Sequence, residues 1–67
     1  MDKMTMKAFR INAGLNQKDV AKALNVTTAT IGRWEQGRTS PSFAKLIQLA
    51  ELYKCDVGDF SMPDVHA

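Results

Sequence analysis

The twenty residues from Gln17 to Gln36, QKDVAKALNVTTATIGRWEQ, constrain this chain more than any other stretch. Apolar residues recur there at helical spacing on either side of a short polar break. Asn25 lies at the break, and Asn tolerates the left-handed backbone that a sharp turn between helices requires. Thr27 follows where a side-chain oxygen can cap a new helix. The stretch therefore predicts one helix over 17–24, a tight turn, and a second helix over 28–36. Val20, Leu24, Val26, Ile31 and Trp34 would point into a shared core. Ala21 is small where the first helix must let the second pass closely.

The rest of the chain is punctuated in the same way. Thr5 caps a first helix running to about Ala13, with Met6 and Phe9 on one face, and Gly14 ends it. Asn16 caps the second helix, and Asp19 in its first turn suits the positive end of the helix dipole. Gly37 closes the third helix, and 38–41 is a loop. Ser42 caps a fourth helix, Phe43–Tyr53, with Leu46, Leu49, Ala50 and Tyr53 at core spacing. Asp56 caps a short fifth turn through Phe60. Nothing alternates with period two, so no sheet is expected. The fold class read from these signals is all-α, five short helices, with the domain over 1–61. Pro63 marks 62–67 as a flexible C-terminal tail.

Sixty-seven residues, 45% of them hydrophobic, make one domain without room for a deep catalytic cleft. The single cysteine, Cys55, cannot form an internal disulfide or a cysteine-rich zinc site. The single histidine, His66, lies in the expected tail. No His, Cys and carboxylate cluster has metal spacing, and there is no glycine-rich phosphate loop. Asp56 and Asp59 read as a helix cap and a first-turn acid rather than an acid/base pair. The chain is not expected to be an enzyme or to hold a cofactor or metal. No signal peptide or long apolar run is present, so a cytoplasmic location is expected, with no membrane partner.

Charge is unevenly placed. Residues 1–45 carry eight Lys/Arg against Asp2, Asp19 and Glu35, a net +5. Residues 46–67 carry Lys54 against Glu51, Asp56, Asp59 and Asp64, a net −3. The positive part contains the paired helices, as a phosphate-facing surface would, although ordinary solvated charge gives the same count.

Two short helices at this spacing form the pattern of a DNA-binding helix-turn-helix, whose second helix lies in the major groove. The strings GLNQKDVAKALNV, TTATIGRWEQG and SPSFAKLIQLAELYKCDVGDF make the match specific. From Met4 to Phe60, about 57 of the 67 residues, the chain resembles the Cro/C1-type helix-turn-helix family of phage repressors and Cro proteins. The Gln-x-x-x-Ala start of helix 2 and the Trp-Glu-x-Gly end of helix 3 carry most of the likeness. It implies a lambda-repressor-like domain with the helix-turn-helix at helices 2 and 3. Asn25 stands where that family often has Gly. Lys54 stands where Gly or Asn would end helix 4, so that cap is either strained or built differently. Cys55 stands at a buried aliphatic position and reads as a small core residue.

With Ile31 and Trp34 inward, Thr28, Ala29, Gly32, Arg33 and Gln36 share the opposite face of helix 3. Arg33 is the long charged side chain there and can bond guanine O6 and N7 together. Thr28 can bond a base edge, and Ala29 can touch a thymine methyl, so Thr28, Ala29 and Arg33 are the expected base contacts. Gly32 would let the backbone approach the groove wall. Asn16, Gln17, Lys18, Thr27, Gln36, Arg38, Thr39 and Ser40, at helix starts or in the loop after helix 3, are expected backbone contacts. The resemblance implies that Gln17 binds phosphate and braces the recognition helix. It also implies a partly buried ion pair, Arg10 with Glu35, that leaves Arg10 an N–H for phosphate. Trp34 reads as core packing rather than a base-stacking residue.

The function implied is a sequence-specific regulator of transcription, most like a phage Cro or repressor. It would bind double-stranded DNA as a homodimer on a palindromic operator. Pairing would come from helix 4, helix 5 and the segment from Leu52 to Phe60. The alternatives are a protein-interaction module, such as an antitoxin or antirepressor-binding domain, and the N-terminal domain of a longer repressor.

Overall fold

The computed structural model describes residues 3–61. The expected tail at 62–67, with His66, lies outside the described residues. Four α-helices follow one another: α1 (Met6–Asn12), α2 (Gln17–Leu24), α3 (Thr28–Gln36) and α4 (Phe43–Tyr53). The expected fifth helix is a single 3-10 turn, Val57–Asp59. Asp59 caps that turn by accepting the Asp56 backbone N–H at Oδ2, 3.0 Å away. α1 ends one residue before the expected Ala13, which serves as its C-cap.

Each α-helix begins on a side-chain oxygen. Thr5, Asn16, Thr27 and Ser42 accept the backbone N–H three residues on, at 3.0, 2.7, 3.2 and 3.2 Å. That satisfies one of the donors every helix start leaves unpaired. Asp19 returns the bond at α2, accepting the Asn16 N–H at 3.1 Å.

Each α-helix also ends in the same device. Gly14, Asn25, Gly37 and Lys54 have φ of 74, 58, 79 and 58°, and the next N–H reaches back to the carbonyl five residues before it. Lys54 thus takes the left-handed backbone that glycine usually supplies, which answers the question its sequence leaves open. The strain of an ordinary side chain there is about 1–2 kcal/mol. It is tolerated because Tyr53 is buried before it and Cys55 packs on the core after it.

The residue after each left-handed cap shows what these ends are for. Leu15, Val26 and Cys55 fold back against the core after α1, α2 and α4. After α3 the same position is Arg38, which is exposed. Three helix ends are tucked in, and the fourth turns a cation outward.

The core is built from one face of each helix. Val20, Ile31 and Leu49 are the largest fully buried side chains, one each from α2, α3 and α4. Met6, Phe9, Ala21, Leu24, Trp34, Ala50 and Tyr53 complete it with Phe60 from beyond the 3-10 turn. Ala21 is 3% exposed on α2, as the close approach of α2 and α3 requires. Phe60 meets the Phe9 ring edge-on at 5.5 Å and Tyr53 at 6.3 Å, the offset geometry aromatic rings prefer.

Phe60 also joins Met4 in an isolated parallel bridge. The Met4 N–H donates to the Asp59 carbonyl at 3.1 Å, and the Ser61 N–H donates to the Met4 carbonyl at 2.8 Å. This one backbone pair is the extended pairing present among the described residues, where the periodicity predicts no sheet.

Candidate nucleic-acid interface

α3 is held by three side chains from three helices. Arg10 of α1 donates from Nε to Glu35 Oε2 at 2.7 Å and from Nη2 to Glu35 Oε1 at 3.3 Å. Its Nη1 donates to the Leu15 carbonyl at 3.0 Å. Gln17 of α2 donates from Nε2 to Glu35 Oε1 at 3.0 Å. Glu35, near the end of α3, thus accepts from both neighbouring helices. The Arg10 and Glu35 side chains are only 10% and 5% exposed. The hydrogen bond to Glu35 raises the Arg10 pKa, against the opposing effect of burial.

The Arg10 guanidinium donates through Nε and Nη2 to Glu35 and through Nη1 to Leu15, which leaves a second N–H on each of Nη1 and Nη2. Gln17 spends one amide hydrogen on Glu35 and keeps another.

A further clamp has no local trace in the sequence. Lys45 of α4 sends Nζ to the carbonyl of Leu24, the last residue of α2, at 2.8 Å. That carbonyl is one of those a helix end leaves unpaired, and a cation there suits the negative end of the dipole. α4 is thereby tied to the turn between α2 and α3.

The outer face of α3 is open. Thr28, Ala29, Arg33 and Gln36 are exposed, while Ile31 and Trp34 are buried. Lys18, Arg38, Thr39 and Ser40 are exposed beside it in sequence, at the start of α2 and after α3. Asn16 and Thr27 are exposed too, but their side-chain oxygens already cap α2 and α3, and Thr27 Oγ1 lies 2.9 Å from Thr30 Oγ1. Gly32 is half-buried beneath Gln17. A Cβ placed there would lie 3.8 Å from Gln17 Nε2, an ordinary contact. Packing within the fold therefore does not require glycine, although glycine in a helix interior costs about 1 kcal/mol against alanine.

The face is also of one sign. From Val20 to Ala50 the chain has a single carboxylate, Glu35, and that charge is consumed by Arg10. Arg33 and Arg38 form no ion pair among the described residues. An anion approaching the outer face of α3 meets Arg33, and the exposed acid nearest in sequence is Asp19, next to Lys18 at the start of α2.

The model of the Cro/C1-type helix-turn-helix family matches residues 6–60. The chain belongs to that family. This helix-turn-helix domain is thus a DNA-binding regulator domain, of a family that is not one of enzymes. No curated protein and no solved structure gives a significant match.

Among the described residues no group of three or more His, Cys, Asp or Glu side chains is placed to hold a metal. No helix there is long and apolar enough to cross a membrane. Burial and the carboxylates of Asp59 and Asp56 push the Cys55 thiol pKa up, away from the reactive thiolate. In the segment from Leu52 to Phe60, expected to pair together with helix 4 and helix 5, Tyr53 and Phe60 are buried and Leu52, Cys55 and Val57 pack on the core, while Lys54, Asp56 and Gly58 are exposed. Among the described residues the exposed large apolar side chains are Ile11, Phe43 and Ile47.

Proposed function

We propose that this domain is a sequence-specific transcriptional regulator of the phage Cro or repressor kind. In this reading α3 enters the major groove, and Arg33 reads a guanine through O6 and N7. Thr28 and Ala29 meet neighbouring base edges. Lys18, Gln36, Arg38, Thr39 and Ser40 hold the sugar–phosphate backbone, with the spare amide hydrogen of Gln17. Asn16 and Thr27 contribute through the helix starts they cap, where backbone N–H groups attract phosphate. Two copies bind a palindromic operator, with recognition helices about 34 Å apart on one side of the duplex. Bound there, the protein represses by occluding polymerase. No cofactor is needed, and the protein works in the cytoplasm, where the DNA is.

The observation that carries this reading is the exposed, singly charged face of α3, fixed from behind by Arg10, Glu35 and Gln17. Gly32 adds support: its lack of a side chain is unexplained inside the fold and is explained by a groove wall close outside it.

The test is binding to a random duplex pool, followed by anisotropy titrations of wild type and Arg33→Ala on the selected sequences across a salt series. The expected result is a palindromic site, with Arg33→Ala losing about 1–3 kcal/mol and relaxing choice at one base pair. Unselective, salt-sensitive binding that is identical in the variant would remove the base-reading role. A protein-interaction module of the antitoxin or antirepressor-binding kind would then become the better reading.

A further inference from the structure

A cleft of about 420 Å³ opens where the ends of α1 and α4 meet, within the size range of small-molecule sites. Phe9, Asn12 and Leu15 line it from α1 and the turn after it. Leu52, Tyr53 and Lys54 line it from α4 and its cap. Most of the lining is apolar, and two of the residues are aromatic. The DNA reading given above uses none of these six side chains.

No carboxylate lines the cleft, and Lys54 supplies its one charge. Glu51 and Asp56, the acids nearest to Lys54 in sequence, do not line it. Lys54 is exposed and forms no ion pair among the described residues. It holds the left-handed backbone, φ 58°, where glycine would end α4 without strain. Strain kept in this way gathers at ligand clamps and active sites. Asn12 adds an amide whose one contact, Nδ2 to Met4 Sδ at 4.0 Å, is weak. At both helix ends carbonyls are already occupied: the Leu15 and Cys55 N–H groups take those of Arg10 and Ala50, at 3.2 and 2.9 Å. A cation, an amide donor and apolar, partly aromatic walls together suit a planar aromatic ring that carries one carboxylate.

Leu15 links this cleft to α3. It lines the cleft, and its carbonyl accepts Arg10 Nη1 at 3.0 Å. The same guanidinium holds Glu35 of α3 through Nε at 2.7 Å. We propose that the cleft between the ends of α1 and α4 is an effector site for a small aromatic monocarboxylate, sensed at α3 through Leu15, Arg10 and Glu35. The effect on DNA rests on the operator reading given above, and the binding of the ligand does not. The open cleft and the complete clamp on α3 belong to one conformation. A ligand that fits the cleft therefore favours the clamped α3 and tightens DNA binding.

Two measurements test this on wild type, Lys54→Gly and Lys54→Arg, with folding checked by circular dichroism. Glycine suits the left-handed turn, so Lys54→Gly removes the charge and keeps the fold. The first measurement needs no DNA: benzoate is titrated in and followed by NMR. In wild type it should shift the amides of residues 9–15 and 52–55 and the Arg10 Nε–H, and benzoate should bind more tightly than benzyl alcohol. Lys54→Gly should lose about two- to fivefold in benzoate affinity, the worth of a solvent-facing ion pair, and with it that preference. Lys54→Arg should keep both. Acetate giving the same shifts as benzoate, equal benzoate affinity in wild type and Lys54→Gly, or shifts centred on Arg33 and Arg38 overturns the proposal. The second measurement repeats the DNA titrations with saturating benzoate, ionic strength being matched with chloride. Wild type should bind its selected duplex about fivefold more tightly or better, from the low end of the usual coupling upward. An unmoved Arg10 Nε–H together with unchanged DNA affinity overturns the effector role. A wild type that selects no duplex but shows the benzoate shifts and preference sinks the operator reading and leaves the ligand site standing.

Discussion

Replacing Glu35 by alanine should remove a large part of this domain's stability. The carboxylate is the acceptor for Arg10 Nε and Nη2 and for Gln17 Nε2, and its side chain is 5% exposed. Without it, the Arg10 guanidinium stays in a site that is 10% exposed, with the Leu15 carbonyl as its remaining partner. Stranding one charge of a buried pair costs about 3–5 kcal/mol. A chain of 67 residues has about 3–10 kcal/mol in total, at about 0.05–0.15 kcal/mol per residue. Glu35→Ala therefore leaves a domain at the edge of unfolding. Arg10→Ala should cost about as much, and the double variant should cost less than the two together by roughly 1–3 kcal/mol. Putting Met at 10 and Leu at 35 should recover most of the loss, because an apolar pair of similar size needs no desolvation of charge. Urea unfolding read by fluorescence of Trp34, the one tryptophan and 6% exposed, measures all four. A Glu35→Ala loss below about 1 kcal/mol would refute the reasoning, since that is the value of a solvated surface pair.

Lys54→Gly should stabilise the domain by about 1 kcal/mol, because φ of 58° is relieved of its side chain, and Lys54→Ala should give no such gain; equal urea midpoints for all three proteins would remove the strain argument. Burial, followed by the Glu35 charge, pushes the Tyr53 pKa up from 10.0 to about 12. The folded state then holds the phenol proton more tightly than the unfolded chain, so this contribution is intact below pH 10 and is lost as pH rises towards 12. Tyr53→Phe should flatten the stability profile across that window, and an unchanged slope in alkaline unfolding curves would show that other groups set it.

Local signals made most of the fold legible. Thr5, Asn16, Thr27 and Ser42 each announce a helix start, because a cap bonds an N–H only three residues away. Gly14, Asn25 and Gly37 announce helix ends, because the backbone they allow is a property of the residue itself. Lys54 announces nothing, since its conformation is imposed by the burial of Tyr53 and the packing of Cys55 around it. The outer face of α3 was legible once Ile31 and Trp34 were turned inward. Contact over long separations came from the family resemblance, as with Arg10 and Glu35 across 25 residues, and not from local signals. The Lys45 bond spans 21 residues, and the Gln17 bond to Glu35 spans 18. Neither leaves a periodic trace. The inward turn of Arg10 depends on the Leu15 carbonyl, whose position is set by the end of α1 and not by any motif.

The bridge between Met4 and Phe60 has a mechanical consequence. The two backbones run parallel there, so tension applied through the two sides of the chain draws them in opposite directions along their length. Both hydrogen bonds, Met4 to Asp59 and Ser61 to Met4, are then loaded together in shear instead of being peeled one after the other. Behind them the Phe9, Phe60 and Tyr53 rings must slide past one another before the core can open. A helical domain that would otherwise unravel from its ends under load is fastened at the point where the load enters.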